Sequence, residues 1–467
     1  MTAAKKKLSL TEGPLFFRII LFALPIMATG ILQILYNMAD NIVVGRFSGD
    51  EFALGAVGST SSLTNLTVNL LFGIAAGTSV VIAHAFGARQ EKVVSRTVHT
   101  ALAFSLIGGV AFGLIGLIIS RPALALMGTA DVFMDGAVLY FRIICIGIPA
   151  SSVYNFGAAI LRSIGDSKTP LIILASTGLI NVGLNFLFVL CFDMTVDGVA
   201  VATVASQYLS AIAVVAVLWR RRSECYGFSP SKMCFDLALL KKILRYGIPS
   251  GVQGSLFSIS NILLTSSINT LSGLPAYGEH IVTAYTVSGN IDAITFTACN
   301  AFHHAAMTFT GQNFGAGKHD RVKRVIAFVL IQVAVIGVAM GQLELLFGRE
   351  LAALYIDPTL PEETKLIITD EAMEIMTLLL NTYFLCGIMD VLSGILKGLG
   401  YALIPMTMSL IGICGMRVVW VFAIFPSLMT PTGLMMSYPI SWSLTALALA
   451  TVLVIALIRL KKKKAES

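Results

Sequence analysis

Long apolar stretches follow one another along this chain, separated mostly by short polar turns. Each is near or above the roughly 20 residues needed to cross a bilayer. Such a sequence cannot fold around one water-facing surface, because every stretch would need covering on all sides. The runs predict helical spans near 16–45, 53–84, 94–120, 134–160, 169–191, 197–219, 240–271, 280–309, 322–347, 371–396, 402–425 and 433–458. Charged residues make up 12% of the chain and apolar ones 56%, against about 25% and 45–50% in soluble domains. A soluble enzyme, a nucleic-acid binder and a disordered chain are excluded on that ground. Aromatic content of 9% and the lack of ten-residue alternating segments argue against an outer-membrane barrel. The fold class expected is an all-α polytopic membrane protein with twelve transmembrane helices.

The formal charge of +7 acquires meaning from its placement. With the N-terminus in the cytoplasm, 25 of the 32 basic residues fall in cytoplasmic segments and four (Arg46, Arg121, Arg349, Lys365) in external loops. That asymmetry is the positive-inside pattern, so both termini are expected in the cytoplasm of a multi-pass cell-membrane protein. The tail at 461–464 reads as a topology anchor that also meets anionic lipid. The first apolar stretch, behind Lys5, Lys6 and Lys7, is too long for a cleaved signal sequence. Seven scattered cysteines with no CxxC predict neither a disulfide framework nor a metal site.

The two halves resemble each other. "ALPIMATG" (23–30) matches "GIPSGVQG" (247–254), aligning Pro25 with Pro249. "FGARQEKVVSR" (86–96) matches "FGAGKHDRVKR" (314–324), and "NFGAAILRSIGDSKTP" (155–170) matches "DVLSGILKGLGYALIP" (390–405). The offsets are 224, 228 and 235, in order and at equivalent places in a six-helix unit. The reading is a 6+6 parallel repeat in two pseudo-symmetric six-helix bundles: an N-lobe at 1–219, a cytoplasmic linker at 220–239 and a C-lobe at 240–467. Parallel halves of this kind are a transporter design. Gly87 and Gly315 are expected to stop their helices through a positive φ.

Twelve spans, this repeat, the "LP" of the first span, "YNMADNIVVGR" (36–46), "GAVG" (55–58) and the paired FGA turns together resemble the multidrug and toxic compound extrusion (MATE) family over essentially the whole chain. The resemblance implies two six-helix bundles around a cavity, and export of organic, often cationic compounds driven by inward flow of Na⁺ or H⁺. The wider superfamily also holds flippases for lipid-linked oligosaccharides.

Ionisable groups inside a membrane are costly and are functional candidates by default. Asp40 is the first, with Tyr36 and Asn37 beside it on the same helix. The resemblance implies a coupling role for it, with Asn155, Asn181, Asn185 and Thr203 as further N-lobe residues. Asn181 and Asn185 are four apart and share a helix face. The family usually has Asp at the second of these positions, so one carboxylate is missing. Amide packing between helices is the alternative reading of that pair. Asp390 (the repeat counterpart of Asn155) and Asp292 are the C-lobe candidates, with structural pairing as the alternative. Met27, Gln33, Phe257 and Met307 are candidates to line a substrate cavity, and Pro25 and Pro249 to act as hinges. Glu344 and Glu374 read as snorkelling acids near external helix ends. Arg142 and Arg417 are expected toward the outer side, and His303 and His304 low on the eighth span.

No Walker motif, catalytic triad or metal-ligand cluster is apparent, so neither enzymatic activity nor a cofactor is expected. The function expected is secondary antiport of an organic compound against Na⁺ or H⁺, with a flippase as the alternative. Expected partners are a small organic substrate and membrane lipid, with no nucleic acid, and the protein is expected to be a monomer.

Overall fold

The computed structural model describes residues 9–47, 53–275 and 277–465. The basic run at 5–7 and the loop acids Asp50 and Glu51 lie outside them. Among the described residues there is no strand, and the chain forms twelve long helices. In order these are α1 (Leu15–Phe47), α2 (Ala53–Gly87), α3 (Glu91–Leu126), α4 (Asp131–Ser163), α5 (Lys168–Phe186, continued by a π-helical turn at Leu187–Cys191), α6 (Val196–Arg220), α7 (Leu237–Ser272), α8 (His280–Gly315) and α9 (His319–Leu346). A short α10 (Gly348–Tyr355) precedes α11 (Glu362–Gly398). Then come α12 (Leu403–Leu428), a short α13 (Pro431–Met435) and α14 (Ser437–Ala465). Ten of these segments are long and apolar enough to cross a membrane. The other two, α7 and α8, are each 36 residues long but carry more polar side chains, Asn261, Asp292 and His303 among them.

The helices match the apolar runs because hydrocarbon leaves backbone groups no partner outside the helix itself. Most overrun those runs at one end or both, α11 starting nine residues before the predicted edge at 371, whereas α9 stops one residue short of 347 and α14 begins four residues after 433. Lipid sets where apolar character must hold, whereas the helix continues into the aqueous layer until a Pro or a turn stops it. Here Pro361 is the N-cap of α11.

Contacts divide the chain into two compact units. Unit 1 holds the residues up to Gly13, Leu24–Ser255 and Gly311–Lys318. Unit 2 holds Pro14–Ala23, Leu256–Thr310 and His319–Ser467. The beginning of α7 joins unit 1 through a bare-backbone crossing with α2. A Cβ on Gly73 would strike the backbone of Gly251, and one on Gly77 would strike Ile243 and Gly247. The end of α8 is held in the same unit by Gln312, fully buried. Its Nε2 donates to the Ser163 carbonyl at 2.7 Å, and its Oε1 accepts from the Leu10 amide at 3.0 Å.

Gly87 and Gly315 turn out to be needed for a different reason than helix termination. Both are the last residues of their helices, and neither has a positive φ. The left-handed residues come two positions later, at Arg89 (φ 58°) and Gly317 (φ 69°). What forbids a side chain at Gly87 is the Gln312 carbonyl, and at Gly315 the His84 carbonyl. The two helix ends cross in direct backbone contact within unit 1.

The repeat reaches further into the packing than the sequence motifs show. On α3, a Cβ at Gly109 would meet Pro149 and one at Gly113 would lie 2.7 Å from the Cys145 carbonyl of α4. On α9, Gly337 faces Phe384 and a Cβ at Gly341 would lie 2.6 Å from the Leu380 carbonyl of α11. These pairs keep the offsets of 228 and 235. Small residues let membrane helices approach closely enough for dispersion and Cα–H contacts to hold them. The third seam position is Gly116 in the first half and Glu344 in the second.

Candidate functional site

In unit 1, α1 brings Asp40 against α5 and α6. Asn185 Nδ2 donates to Asp40 Oδ1 at 2.5 Å. Thr203 Oγ1 reaches Oδ2 at 3.4 Å and also donates to the Val199 carbonyl at 3.0 Å. Having one proton, the hydroxyl binds the carboxylate only weakly, so Asn185 is the dominant partner. Asn185 is fully buried, and its own Oδ1 has no hydrogen-bond partner. Asn181, one turn earlier on α5, is also buried, and its Nδ2 is likewise without a partner. No ion pair involves Asp40 among the described residues. A carboxylate, an orphan amide oxygen and no fixed cation make an acceptor-rich spot.

Tyr36 positions this spot. Its hydroxyl donates to the Ala175 carbonyl at 3.1 Å, tying α1 to α5. Its ring fills the space where a Cβ on Gly178 would otherwise stand. Tyr140 of α4 lies within electrostatic reach of Asp40. Sequence reading missed it, because nothing in the α4 sequence shows which face turns toward α1. Asn37 stands on the exposed side of α1. Asn155 donates to Ser151 of its own helix at 3.4 Å. Counting from Pro25 and Pro249, the second-half equivalent of Asp40 is Leu264, which is fully buried, so the carboxylate is not duplicated.

In unit 2 the two predicted acids have different surroundings. Asp390 Oδ1 is 3.1 Å from His303 Nδ1, and its Oδ2 accepts from Asn300 Nδ2 at 3.1 Å. His303 Nδ1 is also 2.8 Å from the Asp390 carbonyl. Lys397, two turns further along α11, is buried and within electrostatic reach of Asp390. Asp390 is therefore held by side chains of unit 2, His303 and Asn300 in direct contact and Lys397 nearby. Asp292 instead lies within electrostatic reach of a second acid, Glu344. Glu344 is only 4% exposed and accepts from Thr295 Oγ1 at 2.7 Å. The expectation of a snorkelling Glu344 is thus corrected: it occupies the third seam position, where the helix pair covers it. Arg417 is held by the protein: it is buried, donates to Asn261 Oδ1 at 2.9 Å and stacks over the Tyr438 ring at 4.1 Å. Arg142 remains exposed and donates to Ser120.

Met27 and Phe257 are partly buried, Gln33 is exposed, and Met307 is packed at 2% exposure. Pro25 and Pro249 both lie inside continuous helices. Thr29 Oγ1 donates to the Pro25 carbonyl at 2.7 Å. Among the described residues no cluster of three or more His, Cys, Asp or Glu could hold a metal ion.

The family model MatE matches the chain twice, over residues 25–187 and 249–422. The two matches begin 224 residues apart, at Pro25 and Pro249, and end 235 apart, the offsets of the internal repeat. The chain is 28% identical over 435 residues to the probable multidrug resistance protein YoeA of Bacillus subtilis, covering 91% of each. It is 27% identical to the probable multidrug resistance protein NorM of Thermotoga maritima, covering 85% of this chain and 82% of that one. A crystal structure described as MATE in the bent conformation superposes with a TM-score of 0.88 at 23% identity, covering both chains completely.

Proposed function

Because this chain belongs to the MatE family of multi-pass membrane transporters, with the family model fitting both halves, we propose that it is a secondary active antiporter. In this reading it exports organic compounds, cationic or amphipathic, while Na⁺ or H⁺ flows inward. The relatives named for multidrug resistance support the substrate class. The observation that carries the coupling role is Asp40, a carboxylate inside a helix bundle with an amide donor and no basic partner among the described residues. A travelling cation would use the Asp40 carboxylate and Asn185 Oδ1. Thr203, Tyr36 and Asn181 would set the geometry, and Asn37 and Asn155 would belong to the approach.

The ion must bind two conformations with different free energy, or its gradient drives nothing. Pro25 and Pro249 are the proposed bending points of α1 and α7. The lobes are taken as 1–219 and 240–467, joined by 220–239, with both termini cytoplasmic and one chain as the working unit. Asp292 is the better C-lobe candidate for an ion, since Asp390 already has His303 and Lys397. The flippase alternative draws less support. A pyrophosphate needs free cations, and Arg417 and Lys397 are each engaged inside unit 2.

Reconstituted vesicles test the proposal. A fluorescent organic cation is loaded, and Na⁺ and pH gradients are imposed separately. One gradient should drive accumulation against concentration. Failure of both, with the protein correctly inserted, would refute antiport.

A further inference from the structure

The repeat places a cation in each unit but an acid beside only one of them. At the 235 offset Arg162 of α4 corresponds to Lys397 of α11, and Asn155 to Asp390, seven residues earlier on each helix. In unit 2 Asp390 lies within electrostatic reach of Lys397. In unit 1 the acid's position holds Asn155, whose amide donates to Ser151. Among the described residues the Arg162 guanidinium has no hydrogen bond or ion pair, and no acid lies within electrostatic reach of it. The ionisable group in reach is Tyr154, which keeps its proton by donating it to the Pro170 carbonyl at 3.2 Å. Phe72 of α2 lies beside the guanidinium, 6.0 Å from ring centroid to Cζ. That is the outer limit of a cation–π contact, so it stabilises little and cancels no charge.

The same contact fixes the depth of the charge. Arg162 stands in the last turn of α4, and a long side chain on a helix points back toward the helix N-terminus. Phe72 comes fifteen residues before the end of α2 at Gly87, about 22 Å along the helix. The guanidinium is therefore carried into the span, not out past the helix end. A charge at that depth is costly and marks a functional site by default. Arg162 is half-buried, which leaves part of the side chain open to a ligand.

The ligand's chemistry follows from the group itself. A planar fork of N–H donors matches a carboxylate with two parallel hydrogen bonds. One positive charge with no second cation in reach balances a monoanion, whereas a phosphate dianion would be only half compensated. The Phe72 ring alongside suits an apolar or aromatic body.

We infer that Arg162 is a binding site for the carboxylate of an organic anion or zwitterion, a carboxylate that stands to Arg162 as Asp390 stands to Lys397 in the second half. This goes beyond the export of cations, since it admits ligands that carry a negative charge.

Dansylglycine carries a carboxylate, and dansylglycine amide has nearly the same shape without the charge. Binding to the purified full chain in detergent, read by dansyl fluorescence, should favour the carboxylate about tenfold, equal to about 1.4 kcal/mol. Arg162→Gln should bring that ratio close to unity. Arg162→Lys keeps the charge but not the fork, and should retain part of the preference. Asn155→Asp leaves Arg162 in place and builds the second half's acid into the first, so it too should lower the ratio toward unity. The unfolding temperature of Arg162→Gln should not fall, because the substitution breaks no bond. A parent with no preference overturns the inference, as does a preference that survives intact in Arg162→Gln or in Asn155→Asp. Gradient-driven export of an organic cation by the same preparation tests the transport reading separately, whatever the ratio.

Discussion

Replacing Asp40 by Asn changes one oxygen for an amide nitrogen and removes one charge, in a site whose dominant contact survives the exchange. Asn185 Nδ2 donates to Asp40 Oδ1, and the carbonyl oxygen of an Asn side chain can accept the same bond. A hydrogen bond to a charged group is worth about 1.5–3 kcal/mol and one between neutral groups about 0.5–1.5. The cost to the fold is therefore about 1 kcal/mol, too little to unfold a twelve-helix chain. The cost to coupling is complete, because an amide neither takes up a proton nor attracts a cation with a full charge. A tenfold ion gradient carries about 1.4 kcal/mol per ion. With one ion exchanged per substrate charge, unaltered vesicles should approach about tenfold accumulation, and Asp40→Asn vesicles should level near equal concentrations. Fluorescence of an accumulated dye during a pH jump or a Na⁺ jump reads both. A monodisperse size-exclusion peak and an unfolding temperature within a few degrees of the parent certify the variant. Tenfold accumulation by folded Asp40→Asn would refute the assignment of coupling to Asp40.

Three further perturbations follow from the packing. Gly178→Ala puts a methyl into the Tyr36 ring, so it should lower stability by about 1–3 kcal/mol, visible in thermal unfolding and relieved by Tyr36→Ala. Gly341→Val should force α9 from the Leu380 carbonyl at a similar cost of about 1–3 kcal/mol, while Val at the exposed Val338 neighbour position replaced by Leu should change little. Arg221, just beyond α6, pairs with Asp166 at 2.7 Å with only 10% of the Asp166 side chain exposed. Arg221→Ala leaves that carboxylate without its charged partner, held only by the Thr169 amide and hydroxyl, and should cost about 1.5 kcal/mol, with Asp166→Asn in the same chain recovering part of the loss.

The spans and the repeat were legible because both follow from constraints local to the sequence: apolar length, and motif order. The Asp40 group was partly legible. An acid deep in an apolar run stands out, and Asn181 and Asn185 share a face by spacing alone. Tyr140 was not legible, since its approach to Asp40 depends on how α4 turns against α1. Glu344 was misread for a related reason. Its distance along α9 places it near the helix end, but burial depends on the angle around the helix, and that angle is the glycine seam. Extending the 228 offset from Gly116 would have put Glu344 on the covered side. The partners of Arg417 were not legible for the same cause, with Tyr438 and Asn261 coming from distant segments. The paired glycines at 87 and 315 were seen, but their use at a helix crossing required knowing that the ends of α2 and α8 meet.

The Gly73–Gly251 and Gly77–Gly247 approach sets an order of assembly during synthesis. The groove on α2 has no side chains with which to shield itself, and the segment that covers it lies about 170 residues downstream. A nascent chain halted after α6 would leave that groove to lipid or to insertion factors. A chain released after Ser255 would already carry its own cover. Pulse-labelled truncations with cysteines placed beside Gly73 and Gly251 should form the crosslink only once the α7 glycines have left the ribosome.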